Sequence, residues 1–130
     1  NSAPYSRILV PYNATKVAAL ALEVAHDIAR QVDGKISVVI VTEPAFIRGE
    51  EPGRWTDLAK AHAREIAGIY RIPIELVTLE GNTVKEVVKL AADHDLVIIG
   101  STTENVPFLK PHVGHLIAER SPCSVLVVTH

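Results

Sequence analysis

The chain has 130 residues, 48% of them apolar, and a formal net charge of -2. That is the length of one ordinary domain, with enough apolar side chains for a core, so a disordered chain is excluded. An electrostatic nucleic-acid binder and a membrane-spanning helix are excluded too: no run of Lys and Arg forms a stripe, and no apolar stretch nears about 20 residues.

Arg7–Pro11 (RILVP) reads as a short buried strand, followed by a turn at Tyr12-Asn13-Ala14-Thr15. Apolar residues then recur at Val17, Leu20, Ala21, Val24, Ala25, Ile28 and Val32, in steps of three and four that mark one face of a helix. Asn13 or Thr15 suits the helix start and Gly34 its C-terminal cap. Lys35–Thr42 (KISVVIVT) is rich in β-branched residues and predicts a second buried strand.

Glu43–Arg54 contains Pro44, Gly49, Pro52 and Gly53, a loop pattern long enough for a lid or for a plain connection. Trp55, Leu58, Ala59, His62, Ala63, Ile66 and Ala67 form a second helical stripe. Ile72–Leu79 reads as a third strand, with Pro73 suiting a strand end or an edge. Gly81-Asn82-Thr83 opens a third helix, capped by Asn82, with Val84, Val87, Val88 and Ala91 facing inward.

Asp95–Gly114 (DLVIIGSTTENVPFLKPHVG) is the stretch on which function turns. Leu96–Ile99 is a strand buried on both faces, and Gly100 ends it. A polar loop, Ser101–Asn105, leads through Pro107 to Pro111, which fits the first position of a fourth helix with Val113, Leu116 and Ile117 facing in. Ser121-Pro122 stops that helix, and Cys123–Thr129 is the fifth strand.

The order βαβαβαβαβ implies a parallel sheet with helices on both faces, a doubly wound α/β sandwich occupying residues 1–130 as a single domain. Ligands in such folds sit at the C-terminal ends of the strands, where backbone amides and helix dipoles point. The chain lacks methionine even at position 1, as a processed chain or a domain excised from a larger protein would. Cys123 is the only cysteine, so no internal disulfide forms, and no secretory signal pattern precedes the first strand. Both features predict a cytosolic setting, and the place of Cys123 between Pro122 and a β-branched run predicts a buried, inert thiol.

RILVPYNAT at the start, VVIVTEP at the second strand, GNTVKEVVKLAADHDLVIIGS across the third helix and fourth strand, and SPCSVLVV at the end together resemble the universal stress protein family. The resemblance covers essentially the whole chain. It implies a five-stranded, Rossmann-like parallel sheet of the adenine nucleotide alpha hydrolase-like kind, usually dimeric, in which many members bind ATP or AMP and others do not. It also implies that the last strand lies at a sheet edge and pairs antiparallel with its counterpart through Val125, Leu126, Val127 and Val128. A capping N-terminal tail over that edge is the alternative.

Nucleotide-binding members carry an aspartate after the first strand, then a strand-ending glycine, two residues, a glycine, nine residues, and a glycine followed by serine or threonine. The aspartate position is Asn13 here. Gly100 matches the first glycine, Thr103 stands at the second, and Pro111 and His112 stand at the last pair, in a loop about two residues shorter. Thr103 places a Cβ where phosphate oxygens would approach, and Pro111 has no N–H to donate. Asn13 lacks the charge-assisted bond of a carboxylate to a ribose hydroxyl.

The candidate nucleotide contacts are therefore Pro11, Asn13, Val41, Gly100, Ser101, Thr102, Thr103 and His112, with Lys110 nearby. Each has a plainer reading: Gly100 as a strand terminator, Asn13 as a helix cap, Val41 as core. The expected function is a regulatory or binding domain with a degenerate nucleotide site and weak or no ATP binding. The alternatives are an ATP/AMP binder using the loop hydroxyls, or a cytosolic regulatory domain of a transporter.

His112 and His115 lie three apart, but no cysteine or carboxylate completes a metal set, so no metal is predicted. No nucleophile with a paired base stands out, and Pro11–Lys16 lacks the glycines of the related ATP-pyrophosphate-cleaving enzymes, so no catalysis is predicted.

Overall fold

The computed structural model describes residues 6–13, 16–42, 51–101 and 113–129. Its strands are β1 (Arg7–Pro11), β2 (Lys35–Thr42), β3 (Ile74–Glu80), β4 (Leu96–Ser101) and β5 (Ser124–Thr129). They alternate with α1 (Lys16–Val32), α2 (Glu51–Ile69), α3 (Thr83–Ala91) and α4 (Val113–Arg120). All strand pairs are parallel, in the order β3-β2-β1-β4-β5.

Strands covered on both faces must be apolar on both faces, and β1, β2 and β4 are. Ile8, Val10, Ile36, Val38, Ile40, Leu96 and Ile98 pack with α1 and α2 in one core. Their neighbours Leu9, Val39, Val41, Val97 and Ile99 pack with α3 and α4 in the other. The period of two along each strand thus sorts one apolar run into two cores.

The helices meet the sheet mainly through the alanines of the predicted stripes, and the larger Leu20 and Leu58 on those stripes stay exposed. On α1 the buried face centres on Ala18, Ala21, Leu22, Ala25 and Ala29, while Leu20 is 36% exposed. On α2 it is Ala59, Ala63 and Ala67, while Leu58 is 63% exposed. Alanine lets a helix axis lie close to the sheet; the larger Leu20 and Leu58 lie off that line. Val84, Val87 and Ala91 of α3 and Ile117 of α4 are buried as expected, with Val88 and Leu116 partly so. Asn82 caps α3, its side chain accepting from the Lys85 amide at 3.0 Å.

Several boundaries move. The predicted loop Glu43–Arg54 is shorter at its end, because α2 begins at Glu51. Pro52 lies in the first turn of α2, where a missing N–H leaves no bond unmade, so this proline starts a helix rather than breaking one. Residues 43–50 lie outside the described residues. Asp33, not Gly34, takes the left-handed conformation at the end of α1 (φ 54°), and the Gly34 amide reaches back to the Ala29 carbonyl at 2.9 Å. α2 ends the same way, with Arg71 left-handed and the Ile72 amide on the Ala67 carbonyl at 2.8 Å. Ile72 therefore seals the end of α2, and β3 starts at Ile74, after Pro73. β4 does not stop at Gly100; it runs on to Ser101, which pairs with Thr129. Cys123 precedes β5 and is half-buried rather than buried, its Sγ 3.6 Å from the Ser124 carbonyl.

At the N-terminal ends of the strands, Asp95 staples β1 to β4. Its Oδ2 accepts from the Ser6 hydroxyl and from the Arg7 amide, both at 3.0 Å, and its own amide donates to the Arg7 carbonyl at 2.8 Å. The Ser6 hydroxyl, then the Arg7 amide, hold the carboxyl below its ordinary value of 3.8. A lowered carboxyl pKa gives stability that is present above the unfolded-state value and is lost as pH falls through the folded one. Asp95→Asn is therefore expected to be less stable than the wild type at pH 7, with the gap closing below about pH 3.8. Urea unfolding of both proteins at pH 7 and pH 3 measures this.

Candidate functional site

The sheet order reverses between β1 and β4: the chain moves outward through β2 and β3 on one side, and through β5 on the other. Such a switch point opens a crevice at the C-terminal ends of the strands. β1 and β4 are paired at Ile8–Leu96 and Leu9–Val97, at the start of both strands. Beyond that pair, Pro11, Tyr12 and Asn13 follow one strand, and Gly100 and Ser101 end the other.

Five of the sequence-derived candidates come to this edge of the sheet. Pro11 closes β1 and is buried, and Asn13 follows it, half-buried. Val41 lies near the end of β2, 7% exposed, among the core side chains against α3. Gly100 and Ser101 end β4. Thr102, Thr103 and His112 lie outside the described residues, as do Pro107, Lys110 and Pro111.

Gly100 has a structural reason to be glycine. A Cβ built there would lie 2.5 Å from the Val17 carbonyl oxygen, 2.6 Å from its carbon and 3.0 Å from the Ala18 amide nitrogen. These are backbone atoms in the first turn of α1, which packs directly against the end of β4. The position requires a bare Cα, and the requirement comes from helix packing.

Two polar side-chain pairs fasten α2 to the same edge. The Tyr12 hydroxyl is hydrogen-bonded to Nδ1 of His62, with the rings 5.7 Å apart and tilted by 34°. Tyr12 is only 3% exposed. Its burial, and then the nearby Glu65 carboxylate, push the phenol up to about 12. Thr42, buried at the end of β2, shares a hydroxyl–hydroxyl hydrogen bond with Thr56. The Thr42 carbonyl also accepts from the Gly81 amide at 3.0 Å. Gly81 has φ +139°, a conformation that only glycine adopts without strain.

The sequence reading missed both pairs. A signal existed for the first: a tyrosine right after a buried strand must find a partner for its hydroxyl, and His62 is the polar member of an otherwise apolar helical stripe. Among the described residues, no group of three or more His, Cys, Asp or Glu is placed to hold a metal ion.

A five-stranded, doubly wound parallel sheet with its crevice at the β1–β4 switch point defines a Rossmann-like α/β fold. The family model described as "Universal stress protein family" matches residues 4–129, and the chain belongs to that family. Solved structures agree on the fold. UspA of Lactobacillus plantarum superposes with a TM-score of 0.69 at 20% identity, covering 97% of this chain and 99% of that one. A universal stress protein from Archaeoglobus fulgidus, solved in complex with dAMP, gives 0.75 at 17% identity, covering 97% and 99%. A universal stress protein solved in complex with cAMP gives 0.67 at 20% identity, covering 97% and 98%. A search of curated protein sequences finds no match.

Proposed function

We propose that this chain is a regulatory or binding domain whose nucleotide site is degenerate, with weak or no affinity for ATP. The observation that carries this reading is the packing of Gly100 against the first turn of α1. Gly100 is the one glycine of the family's phosphate-binding pattern that the sequence keeps, and helix packing accounts for it without a phosphate. Counted along the sequence, Thr103 and Pro111 stand where the other two glycines would be. Asn13 offers an amide at the end of β1 where nucleotide-binding members place a carboxylate.

The relatives solved with cAMP and dAMP indicate the ligand class to test first, an adenine nucleotide. Pro11, Asn13 and Val41 would line its base and ribose side, and the hydroxyls of Ser101, Thr102 and Thr103 with His112 its phosphate side. Protein purified without added nucleotide and denatured is expected to release no ATP or AMP by mass spectrometry. Stoichiometric release of either would establish the rival reading, a true nucleotide binder that uses these hydroxyls. We assign the domain no enzymatic activity. The reading places it in the cytoplasm, alone or as a regulatory part of a larger protein such as a transporter. No described helix is long and apolar enough to cross a membrane.

The edges of the sheet favour a homodimer through β5. β3, at one edge, carries Glu75 and Glu80, charges that discourage strand pairing. β5, at the other, has no charged residue from Ser124 to Thr129, and Leu126 is 40% exposed. Leu126→Lys is expected to convert a dimer to a monomer in sedimentation velocity; a wild-type monomer at about 100 µM, well above a micromolar Kd, would remove this assignment.

A further inference from the structure

We draw no further inference here: the strongest candidate, the exposed apolar flank at Leu58, Ile69 and Tyr70 of α2 and the turn that follows it, carries nothing because nothing in the structure shows what covers it.

Discussion

Gly100→Ala is expected to destabilise the protein by about 3 kcal/mol, near the upper end of ordinary overpacking costs. The added methyl would meet the Val17 carbonyl oxygen at 2.5 Å and the carbonyl carbon at 2.6 Å. Neither atom belongs to a flexible side chain that can swing away. The relief left is for the first turn of α1 to lift from β4. That turn leads into Ala18, Ala21 and Leu22, all buried at 2% exposure or less, so lifting it opens the core. Gly68→Ala is the control. Gly68 lies in α2 with nothing within 4 Å of its built Cβ. Alanine there is expected to stabilise by roughly 0.5–1 kcal/mol through helix propensity alone. Denaturant unfolding of the two variants should therefore give opposite signs. A Gly100→Ala variant within about 0.5 kcal/mol of wild type would refute the close packing of α1 on β4.

The second large effect is at high pH. Tyr12 keeps its proton in the folded state up to about pH 12, against an ordinary value of 10.0. A raised pKa gives stability that is whole below the unfolded-state value and is lost as pH rises toward the folded one. Between pH 10 and 12 the unfolded chain sheds this proton and the folded chain does not. Each unit then costs about 1.4 kcal/mol, or about 2.7 kcal/mol over the window. Tyr12→Phe removes this slope. It also removes the hydrogen bond to His62, at a cost of about 1 kcal/mol at pH 7. Wild type should thus be the more stable protein at neutral pH and lose that lead above pH 10. Guanidinium unfolding at pH 8, 10 and 11 measures the difference, in which titrations common to both proteins cancel. Parallel stability curves for the two proteins would contradict the burial of the phenol.

Both effects arise where local sequence is least informative. The strands were legible because runs such as Leu96–Ile99 and Lys35–Thr42 are β-branched and apolar on both faces, which leaves few alternatives. The element order and parallel connectivity followed from crossover length. The helices were legible, and so was most of their sheet-facing side: Ala21 and Ala25 of α1, Ala59, Ala63 and Ala67 of α2, and Val84, Val87 and Ala91 of α3 lie on the predicted stripes and are buried. Leu20 and Leu58 lie on the same stripes yet are exposed, because the alanines beside them make the close approach to the sheet. The Asn82 cap of α3 was legible, but the C-terminal cap of α1 misled. Gly34 is the residue that takes a left-handed turn without strain, yet Asp33 takes it, because the chain must already have turned one residue earlier to enter β2.

The candidate site divides along the same line. Gly100 was visible as a position that matters, but two readings of it, strand end and phosphate contact, were both local. The packing constraint on it comes from Val17 and Ala18, more than 80 residues earlier in the chain. Tyr12–His62 and Thr42–Thr56 are likewise pairings between a strand end and a distant turn of α2. No periodicity reports them. They are found only by asking which buried hydroxyl still needs a partner.

The central claim is that this edge of the sheet is built for packing and no longer grips a triphosphate. Isothermal titration calorimetry of the purified chain with ATP, and separately with AMP, addresses it most directly. The account predicts no saturable heat below about 1 mM of either nucleotide, corresponding to binding weaker than about 4 kcal/mol. A one-to-one isotherm with a micromolar Kd for ATP or AMP would contradict it.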